Sequence, residues 1–243
     1  MIIFLCYQYK DINESSYSWF GKYLDKVTDT SPYLRISAKC EIIKRECFKG
    51  LNTLISFAFE ENPKLTTIES ESFMGCKNLS SVDLSSCLNL KTISYKIFSL
   101  CENILEIVLP KGLISIHDRA FECNYLVRNV IIPASVNTIS QFAFRHCDHL
   151  ENVVFEDGSN LTSIERRTFA NTGVTIFEIP EKVTQIHGDA FNSAQLTNLT
   201  IHPKNKHLII ENNNSVFLRI KVFYSLFVTE FSKHIIFQIQ SQL

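Results

Sequence analysis

Apolar positions along this chain recur in two superimposed rhythms. The short rhythm is L-x-x-L-x-L: Leu54-x-x-Phe57-x-Phe59, Leu79-x-x-Val82-x-Leu84, Ile104-x-x-Ile107-x-Leu109, Leu150-x-x-Val153-x-Phe155 and Leu196-x-x-Leu199-x-Ile201, with Val174, Phe177 and Ile179 fitting the same frame. Its last two positions alternate with a period of two, so they predict the inward face of a short strand. The long rhythm is carried by Phe48, Phe73, Phe98, Phe121, Phe144, Phe169 and Phe191, spaced by 25, 25, 23, 23, 25 and 22 residues. Five residues before each lies an isoleucine: Ile43, Ile68, Ile93, Ile116, Ile139, Ile164 and Ile186.

Self-similarity at a period of 20–50 residues predicts a solenoid, a propeller or an array. Each unit is too short to bury its own apolar face and must stack on its neighbours. Stacked parallel strands about 4.8 Å apart then form a sheet along one wall. Proline follows the strand at Leu109-Pro110, Ile132-Pro133 and Ile179-Pro180, where the missing N–H ends the ladder. Leu65, Leu90, Leu113, Val136, Leu161 and Val183, three residues before the repeat isoleucines, predict a second extended segment on the opposite wall. The stretches around Ala120-Phe121, Ala143-Phe144 and Ala190-Phe191 predict a single helical or 3₁₀ turn between the walls.

The ends depart from the rhythm. Residues 1–33 lack the repeat, and Phe20, Tyr23, Leu24 and Val27 fall at helical spacing, predicting a partly helical N-terminal cap. Residues 34–210 are the predicted solenoid. Residues 211–243 form a non-repeat C-terminal cap or tail, in which the β-branched and aromatic stretch Val216 to Phe231 fits a capping strand pair or a mis-framed end.

Composition narrows the functional classes. A net charge of −1 and a pI near 6.7 give no electrostatic case for nucleic acid or anionic membrane. No run approaches the roughly 20 apolar residues of a membrane helix, and Met1 to Tyr7 lacks the basic start and cleavage site of a signal peptide. Of the 8 cysteines, Cys76, Cys101 and Cys147 each fall three residues after a repeat phenylalanine, and Cys123 falls two after. That spacing predicts a column of buried thiols rather than a disulfide framework.

With these residues in place, the chain resembles the BspA-like, treponemal type of leucine-rich repeat. Ile116-His117-Asp118-Arg119-Ala120-Phe121 and Ile132-Pro133-Ala134-Ser135-Val136 carry its I-x-x-x-A-F and I-P-x-x-V elements, and the resemblance spans residues 40–205. It implies a leucine-rich-repeat solenoid: a right-handed superhelix of about seven repeats of 22–25 residues. One wall is a parallel sheet and the other short extended segments with helical turns. The resemblance also implies a surface antigen or adhesin, of a kind abundant in trichomonad parasites and some bacteria, that binds proteins without enzymatic activity. An intracellular interaction scaffold of the same fold is the alternative, since no clear signal peptide is present.

No nucleotide-binding, hydrolase or metalloprotease motif occurs, and no cofactor is implied. His146-Cys147-Asp148-His149 is the one donor cluster, but Cys147 belongs to the thiol column and the others to a polar turn. The sequons at Asn13, Asn78, Asn160, Asn198 and Asn213 matter only in a secretory pathway. The candidate site is the outer face of the sheet. One outward residue per unit lies between the two inward ones: Ala58, Asp83, Val108, Ile131, Val154, Glu178 and Thr200. Val108, Ile131 and Val154 form an aliphatic stripe, with Glu106, Arg128, Asn129, Glu151 and Asn152 beside it. A rimmed apolar patch of this kind predicts a protein partner, although β-branched residues also favour strands for their own sake.

Overall fold

A computed structural model describes residues 8–206, 208–211, 221–224 and 236–238. Cys6, Asn213 and most of the Val216 to Phe231 stretch lie outside the described residues. The chain winds into a solenoid with two strand-bearing walls. The first wall is built from Lys10–Asp11, Tyr33–Ile36, Ser56–Phe59, Ser81–Asp83, Glu106–Val108, Asn129–Ile132, Asn152–Phe155, Ile176–Ile179, Asn198–Ile201 and Lys221–Tyr224. The second carries two- or three-residue strands: Tyr23–Leu24, Ile42–Ile43, Thr67–Ile68, Thr92–Ile93, Ser115–Ile116, Thr138–Ile139, Ser163–Ile164, Gln185–Ile186, Ile209–Glu211 and Ile236–Gln238. Pairing between successive coils is parallel on both walls, with Ile131 opposite Val154 on the first and Ile116 opposite Ile139 on the second. The first wall is hydrogen-bonded in groups of two or three strands rather than as one unbroken sheet.

The two rhythms meet in one continuous core. Every repeat isoleucine and phenylalanine is buried, as are the leucine and valine positions expected on the second wall. The seven phenylalanine rings stack face to face along the axis, with centroid separations of 4.4, 5.2, 5.6, 5.4, 5.6 and 5.6 Å from Phe48 to Phe191. Phe57 and Phe177 reach in from the first wall to pack on the same column. After the strands, the carbonyls of Pro110, Pro133 and Pro180 accept bonds from Leu113, Val136 and Val183, so each proline opens a tight turn.

The turns around the phenylalanines are not helical. Among the described residues the only helix is a 3₁₀ turn at Glu14–Ser16. Two positions per unit are left-handed instead. Two residues after each phenylalanine stand Gly50, Gly75, Leu100, Cys123, His146, Asn171 and Ser193, all with positive φ. Two residues before stand Glu46, Glu71, Lys96, Arg119, Phe142 and Arg167, also with positive φ. A side chain there costs about 1–2 kcal/mol. What offsets it is a third ladder. Phe73 N–H donates to Ile97, Phe98 to Ala120, Phe121 to Ala143 and Phe144 to Thr168, and the left-handed residues donate to the next coil as well, as Arg119 does to Gln141 and Cys123 to Arg145. A helix would direct these N–H groups along its own axis, whereas the alternating backbone directs them from coil to coil.

The polar side chains of this turn wall tie the same coils together. Glu122 accepts from both Arg119 and Arg145, whose guanidinium groups lie over the Phe142 ring at 4.5 and 5.6 Å. Asp189 accepts from Arg166 and Arg167, each at 3.1 Å.

The thiol column holds with one substitution. Cys76, Cys101 and Cys147 are free and buried, and their Sγ–H groups donate to the carbonyls of Phe48, Phe73 and Phe121 at 3.0, 3.1 and 3.3 Å. Cys123 is not in the column: it is half-buried at the left-handed corner. Asn124, fully buried, takes the place and donates through Nδ2 to Phe98 at 3.0 Å and Phe121 at 2.6 Å.

The N-terminal segment also differs from expectation. No helix spans Phe20 to Val27; Tyr17–Ser18 and Tyr23–Leu24 form an antiparallel hairpin. Leu24 pairs with Ile43 and Lys10 with Leu34, so both walls continue back through residues assigned to a cap. Leu24 and Val27 are buried, but Phe20 points into solvent. Gly21 inside the supposed helix, which costs about 1 kcal/mol there, and the aromatic residues around it favour the hairpin. At the other end, Lys221–Tyr224 pairs with Asn198–Ile201 and Ile236–Gln238 with Ile209–Glu211, extending both walls into the C-terminal region.

Candidate protein-binding face

In the four-residue strands Tyr33–Ile36, Asn129–Ile132, Ile176–Ile179 and Asn198–Ile201, the first wall turns inward at the second and fourth positions and outward at the first and third. Val130 and Ile132 are buried, whereas Asn129 and Ile131 face solvent. Because the ladders are in register, equivalent outward residues stack: Asn129 beside Asn152, Ile131 beside Val154, Glu106 beside Ser81 and Val108 beside Asp83. Residues 23 apart in sequence thereby become neighbours.

All eight residues singled out from the sequence lie on this face. Glu106, Arg128, Asn129, Ile131, Glu151, Asn152 and Val154 are exposed, and Val108 is half-buried. Ile131 and Val154 keep 57% and 52% of their surface in water, high for aliphatic residues on an ordered sheet. Beside them Arg128 donates to Glu151 at 3.0 Å, and Asn152 Nδ2 donates to Asn129 Oδ1 at 2.8 Å. An exposed ion pair of this kind contributes little stability, about 0–1 kcal/mol. These bonds hold the polar rim in one arrangement and leave the aliphatic stripe uncovered.

Two members were missed by sequence reasoning. Leu105 and Ile176, each 59% exposed, are further exposed apolar residues, on the coil of Val108 and on the coil after Val154. Leu105 sits just before the strand, outside the alternating frame, and Ile176 fills the first strand position, which is Ser, Glu or Asn in the other coils from Ser56 to Asn198. Aligning that single column across units would have found Ile176. Beyond Val108 the face becomes polar and opens into a cavity of about 370 Å³ lined by Tyr9, Ser56, Ser81, Asp83 and Glu106.

Within His146-Cys147-Asp148-His149 only His146 and Asp148 stay together, with Nδ1 3.7 Å from Oδ1. Cys147 points into the core, His149 Nδ1 bonds the carbonyl of Tyr125 at 2.7 Å, and His146 Nε2 accepts from Asn171 at 3.2 Å. Among the described residues no group of three or more His, Cys, Asp or Glu is placed to hold a metal ion. No helix among them is long and apolar enough to cross a membrane.

Comparison with known proteins agrees with this architecture. A leucine-rich repeat protein from Bacteroides ovatus ATCC 8483 superimposes with a TM-score of 0.51 at 19% identity, over 74% of this chain and 54% of that one. The T. pallidum leucine-rich repeat protein superimposes with a TM-score of 0.50 at 19% identity, over 61% of this chain and 80% of that one. No curated protein sequence matches the chain. The BspA type leucine rich repeat region matches residues 26–128 and 123–228 in 6 copies. The chain therefore belongs to the BspA-type leucine-rich-repeat family.

Proposed function

We propose that this protein is a non-enzymatic binding module that grips a protein partner across the outer face of its first wall, in the manner of a surface antigen or adhesin. The observation that carries this reading is the aliphatic stripe of Val108, Ile131 and Val154. It lies uncovered, with Leu105 exposed on the coil of Val108 and Ile176 on the coil after Val154, and is edged by the Arg128–Glu151 and Asn129–Asn152 pairs. Apolar centre and polar, hydrogen-bonding rim are the anatomy of a protein interface. A solenoid places such residues on a rigid scaffold, so little side-chain order has to be gained on binding.

Ile131→Asp tests this, with Thr138→Asp, at an exposed position of the second wall, as the control. Both variants are expected to fold, since surface changes usually stay within about 0.5 kcal/mol. Proteins retained from host-cell surface extracts by the wild type and by Thr138→Asp should be lost with Ile131→Asp, by at least about tenfold in affinity, or roughly 1.4 kcal/mol. Equal retention by both variants would place recognition elsewhere. Surface biotinylation of intact cells tests the adhesin reading separately: a protein protected from the reagent is an intracellular scaffold.

A further inference from the structure

The least expected feature of the surface is the tip of the N-terminal hairpin. Trp19 and Phe20 are 67% and 95% exposed. Both are left-handed, with φ of 50° and 59°, and Gly21 follows at 86°. Elsewhere the left-handed non-glycine residues occupy the two turn positions flanking each repeat phenylalanine, with Asn62 as the one other exception. There an inter-coil ladder compensates the backbone. At the hairpin tip the demand for positive φ is ordinarily met by Asn and Gly; here Phe20, 95% exposed, gains almost no packing and Trp19 gains its contact with Tyr23. Strained backbone carrying an exposed aromatic pair points to a ligand.

The surroundings specify what kind. A cavity of about 510 Å³ opens beside the tip. Its lining combines Trp19 and Tyr17 with three carboxylates, Asp11, Glu14 and Glu60, and two cations, Arg35 and Lys39. Trp19 is braced by Tyr23, whose ring centre lies 5.7 Å away. Tyr17 accepts from the Ser37 N–H at 3.0 Å, and burial pushes its phenol up to about 12, so the hydroxyl keeps its proton. Carboxylates and cations are present in near balance, which suits neither an anionic membrane nor a strongly charged peptide. It does suit a neutral ligand that both donates and accepts many hydrogen bonds while offering an apolar face. A hexopyranose ring has that chemistry: hydroxyls around its edge and a flat C–H face that packs on an aromatic ring. Linked through β-1,4-bonds, such rings form extended ribbons that expose the flat face repeatedly, whereas β-1,3-linked rings coil and present it along a curve.

We propose that the Trp19–Phe20 hairpin and its adjoining cavity are a binding site for a β-linked neutral glycan, separate from the protein-binding face. Trp19 is the only tryptophan in the chain, so its emission reports on the site directly. The test titrates the full chain with cellohexaose, laminarihexaose, chitohexaose and β-1,4-mannohexaose, and in parallel with vesicles of phosphatidylcholine with and without phosphatidylserine. At least one hexasaccharide should give a saturable blue shift. Phe20→Ala should weaken that binding about tenfold by the same signal. By titration calorimetry, Trp19→Ala should abolish it and Trp19→Tyr should retain most of it. Far-UV circular dichroism checks that each variant is folded. The proposal is overturned if no hexasaccharide shifts the emission, if only vesicles do, or if sugar binding survives both alanine substitutions. None of these outcomes bears on the Ile131→Asp experiment.

Discussion

Replacing Phe144 with alanine removes one ring from the middle of the phenylalanine stack. The side chain is fully buried, 5.4 Å from Phe121 on one face and 5.6 Å from Phe169 on the other. Truncating a buried phenylalanine costs about 3–5 kcal/mol through lost transfer energy and the cavity left behind. Each aromatic pair adds about 0.5–1.5 kcal/mol beyond area burial, so two lost pairs place this site in the upper part of that range, about 4–5 kcal/mol. At about 2–4 °C per kcal/mol for a chain of this size, the Tm should fall by roughly 8–20 °C. Phe48 has a single partner in the column, Phe73 at 4.4 Å, so Phe48→Ala should cost about 1 kcal/mol less. Ile131→Ala, on the surface, should shift the Tm by no more than about 2 °C. Thermal melts followed by circular dichroism give all three values. Hydrogen exchange should show the damage concentrated in the coils of Phe121 and Phe169, because each coil touches only its neighbours. A Phe144→Ala melt within a few degrees of Ile131→Ala would refute the argument that the stack carries the core.

Three further outcomes follow from the polar details of the core and the first coil. Among the seven described cysteines, half-buried Cys123 should be alkylated first in the native protein, because burial pushes Cys40 up to about 11 and Cys87 up to about 12 and shields Cys147 entirely; simultaneous labelling of Cys101 and Cys123, read by mass spectrometry, would contradict the burial. Asn124→Ala should cost about 1–3 kcal/mol in urea melts by leaving the Phe98 carbonyl unpaired, whereas Asn124→Cys should be better tolerated, since it restores the donor found at Cys76, Cys101 and Cys147 and removes a buried Oδ1 that has no partner. Asp29 is held down at about 2 by hydrogen bonds from Lys10 and Ser31, so its contribution is complete above the ordinary carboxylate value of 3.8 and lost as the pH falls toward 2. Asp29→Asn should therefore flatten the acid dependence of amide protection around Lys10 between about pH 4 and 2, and an unchanged profile would show that the Lys10 ion pair does not hold the first strand.

How far the sequence discloses this molecule depends on whether a residue type is unique to its structural role. The inward columns were legible because only large apolar side chains fill them, and the strand face because side chains alternate with a period of two. Six of the face residues, Glu106, Val108, Asn129, Ile131, Asn152 and Val154, follow that alternation, whereas Arg128 and Glu151 lie one residue before their strands. The thiol column was misread at one place because cysteine was followed as a chemical type. Counted by position, the third residue after Phe121 is Asn124, and a buried amide does there what a thiol does in the neighbouring coils. The turns were less legible still. Gly50 and Gly75 mark the left-handed corner, but Leu100, Cys123 and His146 occupy it with no local signal, since their conformation is fixed by donors reaching into the next coil.

The first coil was hidden by the same dependence on neighbours. Leu24 occupies the place of a repeat isoleucine opposite Ile43, but Val27 N–H donates to Cys47 as Phe48 does to Ser72, so buried Val27 fills the phenylalanine position three residues on rather than five, and half-buried Asp29 lies outside the core. Asp29 anchors Lys10 instead, at 2.6 Å, and the strand that Lys10 begins pairs with Tyr33–Ile36. This coil thus keeps its core in Leu24 and Val27 and adds an ion pair beside it. Trp19 and Phe20 lie in the same coil but outside that core, at the turn between Tyr17–Ser18 and Tyr23–Leu24, where neither wall's ladder dictates which side chain stands.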